Sequence, residues 1–318
     1  MGDAVTTAPF RFIAPMPRLA SQRRWTQELR RIEDLGFHAV AVSEHYSNGW
    51  AMDALTAMTF AVAHTSRLHA MPLVLMNDLH HPAVLAKSIA TADALSGGRV
   101  GLGLGAGWLE EDYRTLGVDY DAPAVRIDRL DEALQVIGAF FEGTDVTFHG
   151  HHYRISGLEA RPRPVQKPRP PILVGGGGPK ILDLAGRRAD IVGLHPRLGT
   201  GGFTADSAAG LARASIDKKV GLIAGAAAQA GRPVPDIQFT CYDVNIDGHQ
   251  LTPIRPVFSD FIAEHDSEFA DSPISLRGSV ATCVEDLRRW REELGISYWH
   301  LGPNVEAVAP IVEQLAGA

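Results

Sequence analysis

The sequence predicts an α/β fold of the (β/α)8, or TIM, barrel type, in which one domain spans residues 1–318. Three observations support this prediction. Short runs rich in Val, Ile, Leu and Gly alternate along the chain with stretches of helical period. The short runs are apolar at nearly every position, as expected of strands that are buried on both faces of a parallel sheet. The chain has 318 residues, 45% of them hydrophobic, which is enough for a barrel-sized core.

Four strand–helix units are predicted in the first part of the chain. Ser21 can cap the first helix, and Gly36 can end it. A helix between two successive strands imposes a right-handed crossover, so the strands are expected to be parallel. The predicted strands are residues 10–14, 39–43, 68–75 and 100–105, and the predicted helices are residues 21–35, 53–64, 82–95, 108–116 and 126–141.

The alternation is interrupted at about residues 142–170. Residues 146–148 and 152–155 have the pattern of two strands on either side of His149 and Gly150, and a Pro-rich segment, RPRPVQKPRPP, follows them. We therefore predict a hairpin insertion after strand four that lies on the surface of the barrel.

The alternation resumes after the insertion. The predicted strands are residues 172–174, 190–194, 237–246 and 298–301, and the predicted helices are residues 179–187, 211–230, 258–263, 284–294 and 305–315. Eight strands in a chain of this length favour closure into a barrel. A doubly wound open sheet is the alternative, because the same alternation of strands and helices builds it.

Composition argues against several classes of function. The formal net charge is −7 and no basic run is present, so a nucleic-acid partner is not expected. No window reaches the ~18 apolar residues needed to cross a bilayer, and the start MGDAVTTAPFRF lacks the pattern of a secretory signal, so we expect a cytoplasmic protein without membrane association. Cys241 and Cys283 form no C-x-x-C motif, as expected in a reducing compartment.

In a barrel the chemistry is carried by the loops that follow the carboxyl ends of the strands. The second predicted strand ends in Ser43, Glu44, His45 and Tyr46. His45 is a candidate catalytic residue, because an imidazole titrates near neutrality and suits proton transfer or hydrogen bonding to a charged ring. Glu44 is a second candidate, since it places a carboxylate at the same strand end. A polar strand end solvated by water is the alternative interpretation.

Several histidines raise the question of a metal site. Adjacent histidines such as His80 and His81 point in different directions, and no H-x-H motif follows the first strand. His149, His151 and His152 fall on the predicted surface hairpin. We therefore expect no metal site.

One glycine-rich segment forms the fourth predicted strand, and a second follows the fifth. Residues 101–106 match G-x-G-x-x-A, but a long helix follows them instead of the second strand of a dinucleotide fold. Their glycines can instead let a flat ring approach the backbone. Residues 175–178 are four glycines at a predicted helix start, where free N–H groups and the helix dipole can hold a phosphate. A flexible tight turn is the alternative for this second segment, which lacks the G-x-x-x-x-G-K-[ST] motif of a P-loop.

Five segments, in this order, resemble motifs of the luciferase-like monooxygenase superfamily, and most closely its branch that uses the deazaflavin coenzyme F420. The segments are GFHAVAVSEH (36–45), LMNDLHHP (75–82), LSGGRVGLGLGAGW (95–108), PILVGGGGPK (171–180) and AGRRADIVGL (185–194). The resemblance runs from about residue 10 to residue 301 and implies a barrel with a cofactor lying across its strand ends.

The resemblance also implies roles for individual residues. The cofactor ring would meet the third strand around residues 73–75, where family members carry a non-prolyl cis peptide, and the phosphates would meet the four glycines. His45 matches a histidine that lies against the ring in family members, and Glu44 stands where many relatives have Asp. The implied cofactor-binding residues are Leu73, Val74, Leu75, Asn77, Gly105, Ala106, Gly107, Trp108, Gly175, Gly176, Gly177 and Gly178.

One departure from the family pattern bears on the reaction. Members that oxidise a sugar phosphate place a Glu general acid directly after the fourth strand, and Trp108 stands there in this chain. An indole cannot donate a proton in that role, so a reductase or a differently organised site is favoured over sugar-phosphate oxidation, and Trp108 can form an apolar wall. We expect hydride transfer between F420 and a small organic substrate over the ring, with His45 polarising or protonating the substrate or steadying the ring charge.

Alternatives within the resemblance remain open. The chain can be an FMN-dependent two-component monooxygenase with a flavin reductase as partner, or a non-catalytic flavin-binding protein. Substrate choice is expected to depend on residues after strands six to eight, including His195, Arg197 and a loop at residues 275–279. Since related barrels are often dimers, a homodimer is expected.

Overall fold

The computed structural model describes residues 8–47, 49, 52–199 and 202–318. Residues 1–7, which contribute to the prediction about a secretory signal, lie outside this range. The described strands are, in chain order, β1 (Arg11–Pro15), β2 (Ala39–Val42), β3 (His69–Pro72), β4 (Leu75–Met76), β5 (Leu102–Gly105), β6 (Val146–His149), β7 (Arg154–Leu158), β8 (Ile172–Gly176), β9 (Ile191–Leu194), β10 (Asp236–Thr240), β11 (Asp243–Ile246), β12 (His249–Gln250), β13 (Ser275–Gly278) and β14 (Ile296–His300).

Helices follow most of these strands. They are α1 (Gln22–Asp34), α2 (Ala54–Ala63), a 3-10 turn (Asn77–Leu79), α3 (Pro82–Ser96), α4 (Glu110–Leu116), α5 (Pro123–Glu142), α6 (Pro179–Arg188), α7 (Ala205–Ala209), α8 (Arg213–Gln229), α9 (Pro256–Glu264), α10 (Asp266–Phe269), α11 (Val280–Leu294) and α12 (Val305–Leu315). None of the helices in the described ranges has the length and apolar content needed to cross a bilayer.

The parallel sheet forms a nearly closed barrel. Its strand order within the described residues is β3-β2-β1-β14-β10-β9-β8-β5-β4, and all neighbours are parallel. The two end strands, β3 and β4, are separated along the chain only by Leu73 and Val74, so together they occupy one position of a nearly closed barrel. The predicted (β/α)8 barrel is confirmed, and the doubly wound alternative is wrong.

Local sequence signals explain several helix boundaries. Asp53 precedes α2, and its carboxylate accepts the Thr56 N–H at 2.8 Å. Pro82 begins α3, which ends at Gly97 with φ 68°. Ser21 is at the N-cap position of α1, but within the described residues its side chain accepts no hydrogen bond from the helix. The predicted position of the cap is therefore confirmed, but the predicted capping hydrogen bond from the helix to the Ser21 side chain is not formed.

The inside of the barrel is filled by side chains. A compact apolar cluster there consists of Ile13, Ala39, Ala41, Met71, Leu173, Ile191 and Tyr298, with Leu73 and Val74 packed against it. A larger cluster lies between the sheet and the surrounding helices. Burial of both strand faces is the reason that the strands are apolar at nearly every position.

The predicted insertion is a hairpin of β6 and β7, which pair antiparallel after strand β5 and helix α5. Val146 of β6 and Ile155 of β7 are buried and belong to the apolar core of the protein. The Glu132 carboxylate of α5 accepts the N–H groups of His151 and His152 at 2.7 and 2.8 Å. The hairpin is therefore fixed to the barrel at its turn as well as along its apolar side.

The prediction of one strand over residues 237–246 is wrong. This segment divides into β10, which stays in the barrel, and β11, which forms a separate small sheet with β12 and β13 in the described chain. The reason is polar pairing away from the barrel, since the buried Asp243 carboxylate accepts from the Ser275 hydroxyl at 2.9 Å and from Arg277 at 2.7 Å. Residues 275–278, expected to be a loop, are strand β13.

Candidate active site

The end of β2 holds the segment that joins β3 to β4. The Ser43 hydroxyl donates to the Leu73 carbonyl at 2.9 Å. The Glu44 N–H donates to the Val74 carbonyl at 3.3 Å, and the Glu44 carboxylate accepts the Met76 N–H at 2.7 Å. The Leu73–Val74 peptide bond is cis, as the family resemblance implies. The segment expected to face a cofactor ring is thus positioned by the strand end that also carries the candidate catalytic residues.

Glu44 is buried, with 3% of its surface exposed. Besides the Met76 N–H, its carboxylate accepts from the Tyr46 hydroxyl at 3.3 Å and lies 2.9 Å from His80 Nε2. These contacts engage the carboxylate with protein groups beside the segment that joins β3 to β4. The arrangement is that of a residue that positions this segment.

His45 contacts a buried carboxylate that the sequence analysis did not single out. His45 Nδ1 and Asp112 Oδ2 are 2.6 Å apart, and Asp112 also accepts the Tyr46 N–H at 2.9 Å and the Ser47 hydroxyl at 2.7 Å. Burial acts to raise the pKa of Asp112, but the hydrogen bonds from His45, Ser47 and Tyr46 outweigh it, and the pKa is lowered. Because an ionised carboxylate can only accept, Nδ1 of His45 carries a proton in either charge state of the ring.

An aromatic wall lies next to His45. The Trp108 ring is edge-on to His45 with centroids 5.7 Å apart, and Phe203 lies 5.5 Å from Trp108. Phe203 also packs on Phe258 at 5.5 Å, and the Arg255 guanidinium lies 4.4 Å above the Phe203 ring. The wall, formed by Trp108, Phe203 and Phe258, gives this side of the site an apolar surface with a cation behind it.

Two further histidines, His195 and His300, lie at the ends of β9 and β14. Burial lowers the pKa of each to about 4, with smaller contributions from Lys219 on His195 and from His195 on His300. Both rings are therefore neutral at pH 7. In the described part of the chain, His300 Nδ1 and Gln238 Oε1 are buried without a hydrogen-bond partner. Such atoms call for a ligand or a water molecule, so they support a ligand site inside the barrel mouth.

The glycines of β5 make room for protein atoms. A Cβ on Gly103 would lie 2.0 Å from the Pro72 carbonyl oxygen, and a Cβ on Gly105 would lie 2.8 Å from Val74 Cγ2. The close approach of β5 to the β3–β4 segment therefore explains these glycines. The sequence-based interpretation, that the glycines of β5 make room for a flat ring, is therefore not required to explain Gly103 and Gly105.

The loop after β5 and the 3-10 turn hold three more of the predicted site residues. Gly107 has φ 74°, and a Cβ there would lie 2.0 Å from the Tyr113 hydroxyl. The same hydroxyl donates to the Ala106 carbonyl at 3.4 Å. Asn77 is buried, and its side-chain amide donates to the Tyr153 hydroxyl of the hairpin at 3.5 Å. The hairpin therefore contacts the rim of the barrel at Asn77.

The four glycines 175–178 end β8 and continue into the turn before α6, and Gly175 lies beside Val74. A Cβ on Gly175 would be 3.1 Å from Val74 Cγ1, so the glycine segment and the β3–β4 segment share one rim of the barrel. Within the described residues, no hydrogen bond uses the N–H of Gly177 or Gly178. Gly178 is the N-cap of α6, where the helix dipole favours an anion. The segment therefore offers donors to a ligand that also touches Val74.

Lys180 does not take part in this arrangement. Its ammonium forms an ion pair with Asp128 at 2.8 Å and donates to the Ala124 carbonyl at 3.3 Å, both on α5. The anion-binding capacity of the turn therefore comes from backbone N–H groups.

The described residues contain no group of three or more His, Cys, Asp or Glu side chains placed to hold a metal ion. His80 contacts Glu44, and the His81 ring is edge-on to Tyr153 at 5.8 Å. The adjacent histidines thus have different partners, in agreement with the expectation that they point in different directions.

This geometry agrees with the comparison of the sequence with known families. The model of the family described as luciferase-like monooxygenase matches residues 7–243, and the chain belongs to that family.

The chain is similar to curated relatives that use different cofactors. It is 34% identical over 164 residues to the F420-dependent glucose-6-phosphate dehydrogenase of Microbacterium testaceum (strain StLB037), covering 50% of this chain and 48% of the relative. It is 27% identical over 162 residues to the FMNH(2)-dependent dimethylsulfone monooxygenase of Pseudomonas putida, covering 50% and 44%. The chain thus spans about half the length of these relatives.

Solved structures share the fold over nearly the whole chain. An F420-dependent secondary alcohol dehydrogenase in complex with an F420-acetone adduct superposes with a TM-score of 0.72 at 18% identity, covering 97% of this chain and 98% of the other. A long-chain alkane monooxygenase gives a TM-score of 0.74 at 14% identity, covering 98% and 92%. At these identities the likeness concerns the fold alone.

Proposed function

We propose that this protein is an F420-dependent oxidoreductase that transfers a hydride between the deazaflavin and a small organic substrate bound over its ring. One observation carries the proposal: the β3–β4 segment at Val74 and the glycine segment 175–178 meet at one rim of the barrel. A single cofactor with a flat ring and a phosphate can therefore contact both. The names of several relatives, which include F420-dependent enzymes, favour the deazaflavin.

The residues present fit such a cofactor. Residues 73–75 would hold its ring, and the N–H groups of Gly177 and Gly178, which have no acceptor in the described chain, would hold its phosphate. The deazaflavin supplies or accepts the hydride when it is bound. The protein contributes binding, orientation and a proton.

His45 is the residue that we assign to proton exchange. Because Nδ1 is committed to Asp112, a proton is given or taken at Nε2. Asp112 fixes the orientation and the tautomer of the ring, as a carboxylate does behind a catalytic histidine. Trp108, which meets the His45 ring edge-on, keeps water from this side of the reacting groups. Glu44 acts through the β3–β4 segment and is a positioning residue in this proposal.

A second candidate function is an FMN-dependent monooxygenase of the two-component type, supplied with reduced flavin by a separate reductase. The similarity to an FMNH(2)-dependent monooxygenase favours it. Both functions need a ring platform and a phosphate donor set, so the site geometry serves either. A non-catalytic flavin-binding protein uses the same two features without a role for His45.

Equilibrium binding distinguishes the two cofactors. Purified apoprotein is titrated with F420 and with FMN, and binding is followed by fluorescence quenching. We expect micromolar or tighter binding of F420 and at least tenfold weaker binding of FMN, since ~1.4 kcal/mol of selectivity is enough for that ratio. Tight FMN binding with none for F420 overturns the proposal in favour of the second candidate.

We further propose that the protein acts as a cytoplasmic homodimer. The outer face of α2 and α3 supports the dimer, because it forms a groove of about 400 Å³ next to exposed Val84 and Leu95. Cys241 and Cys283 are buried free thiols, which supports a reducing compartment. Sedimentation equilibrium tests the dimer: a monomeric mass at micromolar concentration contradicts it.

A further inference from the structure

A second cavity lies beside the glycine segment, on the side of α7 and α8. Its volume is about 500 Å³, and its lining includes Gly177, Arg197, Asp206 and Lys219. Gly177 links it to the barrel rim, because the same residue belongs to the turn that meets Val74 at Gly175. A ligand that contacts the rim can therefore extend into this cavity.

Lys219 is unusual among the lysines of this chain. The other lysines, Lys87, Lys167, Lys180 and Lys218, are exposed, whereas Lys219 is half-buried. Its ammonium donates to the Gly210 carbonyl at 2.8 Å and to the His195 carbonyl at 3.3 Å. In the part of the chain that the structure describes, no carboxylate forms an ion pair with Lys219. A cation withdrawn from water normally has a counter-ion, so the missing partner points to a ligand.

The other cavity groups reinforce this charge. Arg197 is exposed at the cavity and forms no ion pair within the described ranges, while Asp206 supplies the one lining carboxylate. Two cations against one carboxylate leave the cavity positive. The unused N–H of Gly177 lies on the same lining and adds a neutral donor.

We propose that this cavity binds an anionic oxygen group, a phosphate or a carboxylate, through the Lys219 ammonium, the Arg197 guanidinium and the Gly177 N–H. The inference rests on the proposed function and deepens it, because it assigns the cations that receive the charged end of a ligand bound at this rim. The anionic group belongs either to the cofactor or to an acidic substrate. Both sources present the same chemistry to Lys219.

The first test uses inorganic phosphate and the apoprotein, without any cofactor. Titration calorimetry at low salt compares wild type with Lys219→Gln and with Lys218→Gln, an exposed neighbour on the same helix that undergoes the same change in charge. We expect Lys219→Gln to weaken phosphate binding by roughly tenfold or more, as for loss of a charged hydrogen bond, and Lys218→Gln to bind as wild type. Equal affinities of wild type and Lys219→Gln overturn the proposal.

The second test identifies the source of the anion. F420 and its ring–ribityl core without phosphate are titrated into wild type and Lys219→Gln. A loss confined to F420 assigns the anion to the cofactor. Unchanged binding of both, together with weaker inorganic phosphate binding, assigns it to the substrate. If the wild-type protein binds phosphate in a Lys219-dependent way but does not bind F420, the proposed function is wrong and the anion site at Lys219 is still supported.

A conservative variant and pH separate charge from structure. Burial lowers the pKa of Lys219 to about 8, so wild-type affinity for phosphate should fall above pH 8 by up to about tenfold per pH unit. Lys219→Arg stays charged and should retain binding without this fall. The charged and titratable groups that face Lys219 are Arg197, Asp206 and His195, and burial lowers the pKa of His195 to about 4, far below this range. A fall of the same size in Lys219→Arg contradicts the assignment.

Discussion

The Glu44 carboxylate accepts the Met76 N–H at 2.7 Å and so ties the end of β2 to β4 across the two residues that interrupt the third barrel strand. In this position Glu44 joins two parts of the rim that are 32 residues apart in sequence. The sequence suggested a catalytic role for Glu44, whereas the structure supports a positioning role. The two roles predict different effects of replacing Glu44 on stability, cofactor affinity and turnover.

Replacement of Glu44 should affect stability and cofactor binding together. Glu44→Ala leaves the Met76 N–H and the His80 ring without their buried acceptor, at a cost of about 1–3 kcal/mol. Urea unfolding and F420 titration measure the two effects. Turnover lost with stability and affinity intact indicates instead that Glu44 is catalytic.

Replacement of His45 should affect turnover. His45→Ala is expected to lower kcat by about 10²–10⁴, as for loss of a general acid–base group, while F420 affinity changes by only a few fold. His249→Ala, an exposed histidine on β12, is the control. Unchanged turnover of every accepted substrate in His45→Ala shows that the assigned role is wrong.

Asp112→Asn should reduce both turnover and stability. The carboxylate of Asp112 accepts from His45, Tyr46 and Ser47. The NH2 group of an asparagine cannot accept, so at least one of these three donors loses its acceptor, which lowers the free energy of unfolding by about 1–3 kcal/mol. The folded-state pKa of Asp112 is lowered, so its stabilisation is fully present above the unfolded pKa of ~4 and is lost as pH falls below it. Urea unfolding at pH 7 and pH 3 should therefore give a smaller difference between wild type and variant at pH 3. A constant difference contradicts the ionised state.

Acid should destabilise the protein through a histidine pair at the opposite end of the barrel. The rings of His38 and His69 lie 4.4 Å apart. Burial lowers the pKa of His38 to about 3, with smaller contributions from the charges of His69 and Arg11. Because the unfolded chain takes up a proton near pH 6.5, stability should fall by about 1–3 kcal/mol between pH 6.5 and pH 4. His38→Phe should reduce this fall, whereas His151→Phe, at an exposed position, should not. The same acid slope in His38→Phe and wild type refutes the mechanism.

The glycine segment offers a matched pair of variants. A Cβ on Gly177 would lie 2.2 Å from the His195 carbonyl oxygen, whereas a Cβ on Gly178 would meet no atom within 4 Å. Gly177→Ala should destabilise the protein by about 1–3 kcal/mol, and Gly178→Ala should be nearly neutral. Thermal unfolding of both variants is the measurement. Equal midpoints indicate that the loop after β9 moves to accept the methyl group.

The barrel could be predicted because its strands are buried on both faces, which leaves continuous apolar runs in the sequence. The break of the third strand at Leu73 and Val74 does not follow from the local sequence, since it depends on contacts from Ser43 and Glu44, and only the family resemblance implied an irregular strand there. The small sheet of β11, β12 and β13 was missed because its strands are short and its key pairing is between polar groups.

The candidate site was predicted in part. His45 and the glycine segment stand at strand ends, where local sequence is informative. Asp112 and Lys219 lie on helices, and Asp112 is 67 residues from its partner His45, so no local motif marks either. The spacing of glycines in β5 was visible, but its cause, the approach of Pro72 and Val74, is a long-range contact.

The packed interior of the barrel has a consequence for the order of events during turnover. With Ile13, Met71, Leu173 and Tyr298 filling the centre, the floor at Val74 is reached from the carboxyl ends of the strands. A ligand bound at Val74 must therefore bind before a second ligand that lies over it, and it can dissociate only after that second ligand has left. Steady-state kinetics should accordingly follow a compulsory sequence, with the deeper ligand bound first.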